Sequence, residues 1–530
     1  MQDRSNNSFV RQAAILAAAS LFVRILGFAY RTPLTNLIGD DGIGFYATAY
    51  GIYTFAIVIS SGALPISLSK IISERLALRQ YANAHRLFQT ALILSLTVGV
   101  AVCVILWFGA GAIAAFFNAP ATTGAIRALA PATVVVAVLT VLRGYFQGMK
   151  NARPTALSQV VEQVFKVVFS LVLAFILFDA LQPERAVVGA SIGTGIAAIA
   201  ALVIMLLLYA YVRKGLHARL HKDTHPPEPR TRQLKDIVLN ALPIAVGTGV
   251  FALAYLVDLQ MIPRRLLASG AFDEAQISEL VGQFTGKFIL LTTLPVSLSL
   301  SISTAVIPEI AHARVLANYS AIRQKINSAI RISMILAIPS AVGIAVLAYP
   351  IIALLFPRFP GGGWLLQIGS ASIVFLSLNH VLAGTLQGLG FVKLPIIAAV
   401  LGSITKLPIN HFLIGEPGIN VAGAVVSTVV CYAIAVVANA FFLYRKTRII
   451  PGIIAAILKP TLAATGMGLA CYVAYHSINM FAPTQFATLA ALAIGMLMYL
   501  LFMCIVKGFS PEDLNLLPMP RRIKRWVAGF

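Results

Sequence analysis

The sequence predicts an all-α polytopic membrane protein with fourteen transmembrane helices, arranged as two six-helix lobes plus two C-terminal helices. Three observations predict it: apolar runs long enough to span a bilayer, basic loops that alternate along the chain, and an internal repeat shifted by six helices. The 530 residues are 59% hydrophobic and 11% charged; a soluble domain carries about twice that charged share. The 40 Lys and Arg outnumber 18 Asp and Glu. Membrane proteins collect such an excess in cytoplasmic loops, so it calls for no nucleic acid.

Runs of about 20 or more apolar residues fall at 12–38, 43–73, 87–110, 124–149, 155–178, 186–212, 237–262, 281–311, 328–349, 364–389, 394–414, 419–444, 454–477 and 484–506. The first is too long for a signal-peptide core and lacks a small-residue cleavage site, so it stays as a helix. Gly415-Glu416-Pro417-Gly418 parts the eleventh from the twelfth, and Pro483 parts the last two. With the N-terminus inside, the cytoplasmic loops hold Arg75, Arg79, Arg86, Lys150, Arg153, Arg314, Arg323, Lys325, Lys393, Arg445, Lys446, Arg448 and Lys459. The basic tail Arg521–Arg525 falls on the same side, and the outer loops are acidic or sparse in charge. This alternation places both termini in the cytoplasm, an orientation that one miscounted helix would destroy.

The reading divides the chain into an N-terminal lobe (1–213, helices 1–6), a basic cytoplasmic linker (214–235) and a C-terminal lobe (236–448, helices 7–12). Helices 13 and 14 (449–507) and a basic cytoplasmic tail (508–530) follow. Leu64–Ser73 matches Leu294–Ser303 at seven of ten positions, and Gly144, Gln147, Gly148 and Lys166 recur as Gly384, Gln387, Gly388 and Lys406. Both matches shift by six helices, an even number. The halves therefore insert the same way up, related by an axis along the membrane normal. The four cysteines sit singly inside apolar runs and imply neither disulfides nor a metal site.

Charge inside the membrane carries the functional reading. Arg24 and Arg31 lie seven residues apart in the first span, on one face and about 10 Å apart along the axis. Each costs about 2.5–3.5 kcal/mol at a helix centre. The bland account is one snorkelling and one interfacial arginine; the functional one is a cationic stripe facing a water-filled cavity. Gly27 and Pro33 offer that helix places to bend. Glu162 and Lys166 form an i,i+4 pair flanked by Gln159 and Gln163, one polar face in helix 5. Asp258 in helix 7 and Lys406 with Asn410 in helix 11 are candidates for an ion or counter-charge site; Lys287 enters helix 8 from the outer end. The balance is positive, which favours an anionic substrate: arginine offers a planar fork to phosphate oxygens. Walker A, HExxH and CxxC motifs are absent. The chain therefore reads as a transporter, not an enzyme, with no cofactor, no catalytic residue and no metal. Active transport would draw on the membrane potential or an ion gradient.

These residues resemble the multidrug/oligosaccharidyl-lipid/polysaccharide (MOP) exporter superfamily, in the polysaccharide-transporter branch of SpoVB, YtgP and the Gram-positive MurJ-type lipid II flippases. The resemblance rests on Arg24-Ile-Leu-Gly-Phe28, Tyr30-Arg31, Pro33–Gly39, Gly44, Tyr46, Leu64-Pro65 and Ser69-Lys70. The hairpin Arg143–Met149 with Pro154-Thr155, Ser158-Gln159 and Glu162-Gln163 is its most specific part. It implies a MATE/MurJ-like fold with alternating access, and transfer of an undecaprenyl-diphosphate-linked precursor, lipid II first among them, between leaflets of the cytoplasmic membrane. Another lipid-linked polysaccharide or sporulation precursor is the alternative, and a cation-coupled drug exporter a more distant one. It also implies that Arg24, Arg31 and Lys287 hold the diphosphate, and that anionic membrane lipids and the cell-wall synthesis machinery are partners. Where Gram-negative members carry an arginine pair in helix 2, this chain has Pro65-Ile-Ser-Leu-Ser69.

Overall fold

The computed structural model describes residues 2–179, 182–220, 225–450 and 452–508, with side chains from residue 19 onward and not at 213–220, 305, 308 and 455. The basic tail beyond Gly508 lies outside the described residues. Every regular element among them is helical: α1 (Gln2–Ile57), α2 (Leu64–Ala77), α3 (Tyr81–Phe116), α4 (Thr123–Gly148), α5 (Arg153–Ile176), α6 (Pro183–Leu220), α7 (Arg230–Ser269), α8 (Glu274–Gly282), α9 (Leu290–Val315), α10 (Tyr319–Val346), α11 (Ala348–Leu355), α12 (Gly363–Gly369), α13 (Ala371–Gly388), α14 (Lys393–Ile414), α15 (Ala422–Thr447), α16 (Ile453–Asn479) and α17 (Thr484–Ile505). Short π-helical turns at Val58–Gly62 and Gln283–Ile289 join α1 to α2 and α8 to α9.

Twelve segments of the described residues are long and apolar enough to cross a membrane, and α12 with α13 forms one more, bent by 47°. The first segment, Ala19–Ala77, is 59 residues long, more than twice what a bilayer needs. It breaks inside α1 at Gly39 (φ 80°, ψ 175°), a conformation closed to residues with a Cβ. Counted as two spans, it brings the total to the fourteen of the sequence. The break falls at Gly39 and not at Gly27 or Pro33, through both of which α1 stays helical.

The chain forms two compact units: Met1–Leu267 with Phe272–Gly282, and Ala268–Ala271 with Gln283–Phe530. In unit 1, α5 and α6 pack most closely, because Gly189 and Gly193 set the α6 backbone directly on Leu173 and Ser170. Such paired small residues are how helices associate where lipid competes for apolar contact. A core of Leu68, Ile72, Leu87, Phe88, Leu142, Phe146 and Ile237 joins α2, α3, α4 and α7. In unit 2, α9, α10, α13 and α15 pack together, with the α16–α17 hairpin on α10. Tyr499 donates to the Ile335 carbonyl there at 2.9 Å.

The repeat is visible in the packing, with a different register. Gly144 and Gly148 of α4 lie on Pro65, Ser69 and Ile72 of α2, while Gly384 and Gly388 of α13 lie on Ser303, Ile307 and Ile310 of α9. Equivalent partners are thus 238 residues apart. The match of Leu64–Ser73 with Leu294–Ser303 is eight residues, about two helical turns, out of that register.

The lobe boundary also differs. The sequence reading starts the second lobe at residue 236, whereas α7 packs with unit 1. Arg75 binds Glu228 at 3.1 Å and Asp236 at 2.9 Å. Asn83 donates to the Pro226 carbonyl at 3.1 Å and accepts from the Glu228 amide at 3.0 Å. Thr90 donates to Gln233 at 2.9 Å. The end of the linker is therefore docked on α2 and α3, and α7 starts from it.

Candidate functional site

α1 and α5 pack together in unit 1 and bring Arg31 and Lys166 to one cluster of tyrosines. Gly27 makes the approach possible: a Cβ there would stand 3.4 Å from Gln163 Nε2. One turn further along each helix, Lys166 meets Tyr30, its Nζ 5.6 Å from the ring centroid. Lys166 is buried, and its Nζ lies 4.0 Å over the Tyr50 ring, from beyond the Gly39 break. Arg31 Cζ stands 5.7 Å from the Tyr46 ring. Tyr46 stacks on Tyr50 and shares a 2.7 Å hydrogen bond with the Tyr30 hydroxyl. A cation over a ring face gains from the ring quadrupole, more so away from water. The tyrosines thus house two charges that lipid would reject.

Glu162 is not the partner of Lys166. Its carboxylate accepts from Arg143 of α4 at 2.6 Å, and Arg143 Nε donates to Ser158 at 2.9 Å. The i,i+4 spacing permits the intrahelical pair, but the guanidinium fork reaches both Ser158 and Glu162 from the neighbouring helix. Glu162 is thereby neutralised without drawing on the lysine. Arg24, which is exposed, Arg31 and Lys166 have no carboxylate at ion-pair distance among the described residues. Gln159 adds a buried Oε1 with no hydrogen-bond partner in the described part of the chain. The surface is a positive, aromatic-backed polar face whose cations suit an anion, while the spare Gln159 oxygen is an acceptor and calls for a donor. Tyr30 and Tyr46 entered the sequence analysis only as motif residues and not as site residues, and Tyr50 and Tyr53 escaped it, although 46, 50 and 53 follow helical i,i+4 and i,i+3 spacing.

Lys287 belongs to unit 2 and is placed differently from the cavity-facing position expected of it. It is fully buried in the π-helical turn, and its Nζ donates to the carbonyls of Phe359 and Gly361 at 2.6 and 2.9 Å. The ammonium closes the loop between α11 and α12, whose carbonyls lack helical partners. Asp258, buried on α7, is in unit 1, while Lys406 and Asn410, both buried on α14, are in unit 2. Lys406 donates to Thr428 at 3.1 Å. A separate cavity of unit 1, about 460 Å³, is lined by Asp41, Phe45, Thr48, Pro263, Glu274 and Ser278 among others and contains none of the predicted cations.

The fold and the site define a multi-pass helical membrane protein with a cationic, tyrosine-backed face in its first unit. Residues 9–314 match the family model "Polysaccharide biosynthesis protein", more than half of the chain, and the chain belongs to that family. Its relatives in Bacillus subtilis (strain 168) include the "Uncharacterized membrane protein YabM", 26% identical over 97% of this chain and 96% of that one. "Stage V sporulation protein B" is 23% identical over 80% and 81%, and "Lipid II flippase MurJ" 25% identical over 93% and 95%. Among solved structures, a lipid II flippase MurJ in an inward closed conformation superposes with TM-score 0.71 at 17% identity, covering 93% of this chain and 98% of that one. An inward-facing MATE-family multidrug transporter of the MOP superfamily gives 0.64 at 17%, covering 81% and 98%. The fold is that of the MOP superfamily, in its polysaccharide-transporter branch, as the sequence motifs imply.

Proposed function

We propose that the protein is a flippase for an undecaprenyl-diphosphate-linked cell-wall precursor, lipid II in the first place, working by alternating access in the bacterial cytoplasmic membrane with both termini inside. The observation that carries this reading is the uncompensated charge of Arg24, Arg31 and Lys166 on the α1–α5 surface. A diphosphate is the part of such a precursor that this surface fits: its oxygens take the arginine forks while the prenyl chain stays in lipid. With Glu162 held by Arg143, no carboxylate on the face opposes the anion. The relatives named as MurJ and stage V sporulation protein B support the class. The second of these favours, as the alternative, a precursor used in sporulation. Transport needs no chemical step on the protein, and its energy would come from the membrane potential or an ion gradient.

The test is translocation of fluorescent lipid II in proteoliposomes by wild type, Arg24→Ala and Arg31→Ala. The reading expects a loss of about tenfold or more in each variant, the scale of one charge-assisted contact. Wild-type rates in both variants would refute the assigned role.

A further inference from the structure

Four cations at one end of unit 2 lie on aromatic rings and not on carboxylates. α9 ends at Val315, α14 begins at Lys393 and α15 ends at Thr447, and their ends meet around Phe391. Arg314 Cζ stands 5.8 Å from the Phe391 ring centroid, and Lys446 Nζ stands 5.8 Å from the same centroid. Beside them, Arg445 lies 5.7 Å from the Phe441 ring and Arg448 lies 5.5 Å from the Tyr444 ring. None of the four has an ion-pair partner among the described residues.

Helix C-termini favour nearby cations, which accounts for basic residues in the last turns of α9 and α15. It does not account for a guanidinium and an ammonium gathered at one ring, where they repel each other. The backbone is also shaped for the arrangement. Gly390 adopts φ +81°, and a Cβ there would collide with the Arg314 guanidinium. Apolar side chains stand open next to the charges: Val315 is 85%, Leu316 64% and Val392 55% exposed. Charge flanked by open apolar surface is the pattern of a headgroup site with acyl chains beside it.

We propose that Arg314 and Lys446 form a binding site for the phosphate of an anionic phospholipid, at Phe391, with the acyl chains along Val315, Leu316 and Val392. The arginine presents its fork to two phosphate oxygens and the lysine adds a point charge. The anion relieves the repulsion between the two cations. This site is in unit 2, apart from the Arg24–Arg31 surface, and it does not depend on the flippase reading.

The full-length protein is reconstituted into nanodiscs of phosphatidylcholine containing phosphatidylglycerol, and released into detergent; phosphatidylglycerol retention is then counted by native mass spectrometry. Arg314→Gln/Lys446→Gln is expected to lose retention by about thirtyfold, the scale for two cations near an anionic headgroup. Gly390→Ala, which displaces the guanidinium without removing charge, is expected to lose part of it. The matched variant Arg323→Gln/Lys459→Gln should retain the lipid. Equal retention by the Arg314/Lys446 and Arg323/Lys459 variants would overturn the proposal, since general surface charge would then explain binding. Inorganic phosphate is the competing probe. Displacement of the lipid by phosphate at equal concentration would mean that the site takes free phosphate, overturning the lipid assignment; undisturbed retention supports it.

Discussion

Lys166 and Lys406 lie 240 residues apart, one on α5 of the first unit and one on α14 of the second, at matching places in the sequence repeat. Both are buried, and there the likeness ends. Lys166 sits on the rings of Tyr30 and Tyr50, close to Arg31 with its Tyr46 ring. Lys406 donates to the Thr428 hydroxyl. A ring face holds a cation without neutralising it, so the charge of Lys166 is still available to an anion. What sets Lys166 apart is the company it keeps, because it shares the α1–α5 surface with Arg31 and the tyrosines of α1. Lys287 gives the same lesson from another direction: a basic residue in a span is bound by two carbonyls and serves its own loop.

The largest expected effect separates structural from functional cations. Lys287→Ala leaves a cavity and two unpaired carbonyls, and should cost about 3–5 kcal/mol of stability, seen as a clear drop in thermal midpoint in detergent. Arg24→Ala, exposed, should stay within about 0.5 kcal/mol of wild type while losing transport. The reverse pattern would exchange their roles. Next, Lys166→Met is expected to slow translocation about tenfold, the scale of one charged contact, and Lys406→Met to leave it nearly unchanged. Equal losses would mean that the halves have not diverged. The smallest effect concerns the docking of α7. Arg75→Ala removes partly buried bonds to Glu228 and Asp236 and should cost about 1–2 kcal/mol. Faster amide hydrogen exchange across Arg230–Asn240 would register it, and unchanged exchange would show that Asn83 and Thr90 hold the segment alone.

The spans were legible in the sequence because hydropathy and loop charge are local properties, and each helix declares itself within its own twenty or so residues. What was hidden depends on neighbours distant in sequence. Nothing in the spacing of Glu162 and Lys166 announces that Arg143 takes the carboxylate from an adjacent helix. No local rule foresees that a loop 72 residues away will accept from Lys287. The repeat was found, but Leu- and Ser-rich helices resemble one another in several registers, and only the glycine contacts of α4 and α13 fix the offset. The Pro226–Glu228 stretch reads as a solvated linker by composition, yet Asn83 grips its backbone. The recoverable miss was Tyr46, Tyr50 and Tyr53 as one face, since their i,i+4 and i,i+3 spacing is written in the sequence.

Binding of the diphosphate-linked precursor itself tests the central claim most directly. Native mass spectrometry of the purified protein with lipid II should show retention by wild type and by Lys406→Met. Retention should fall by about tenfold or more in Arg24→Gln/Arg31→Gln and in Lys166→Met. Undiminished lipid II retention in both unit 1 variants, with their thermal midpoints unchanged, would contradict the assignment of the α1–α5 surface.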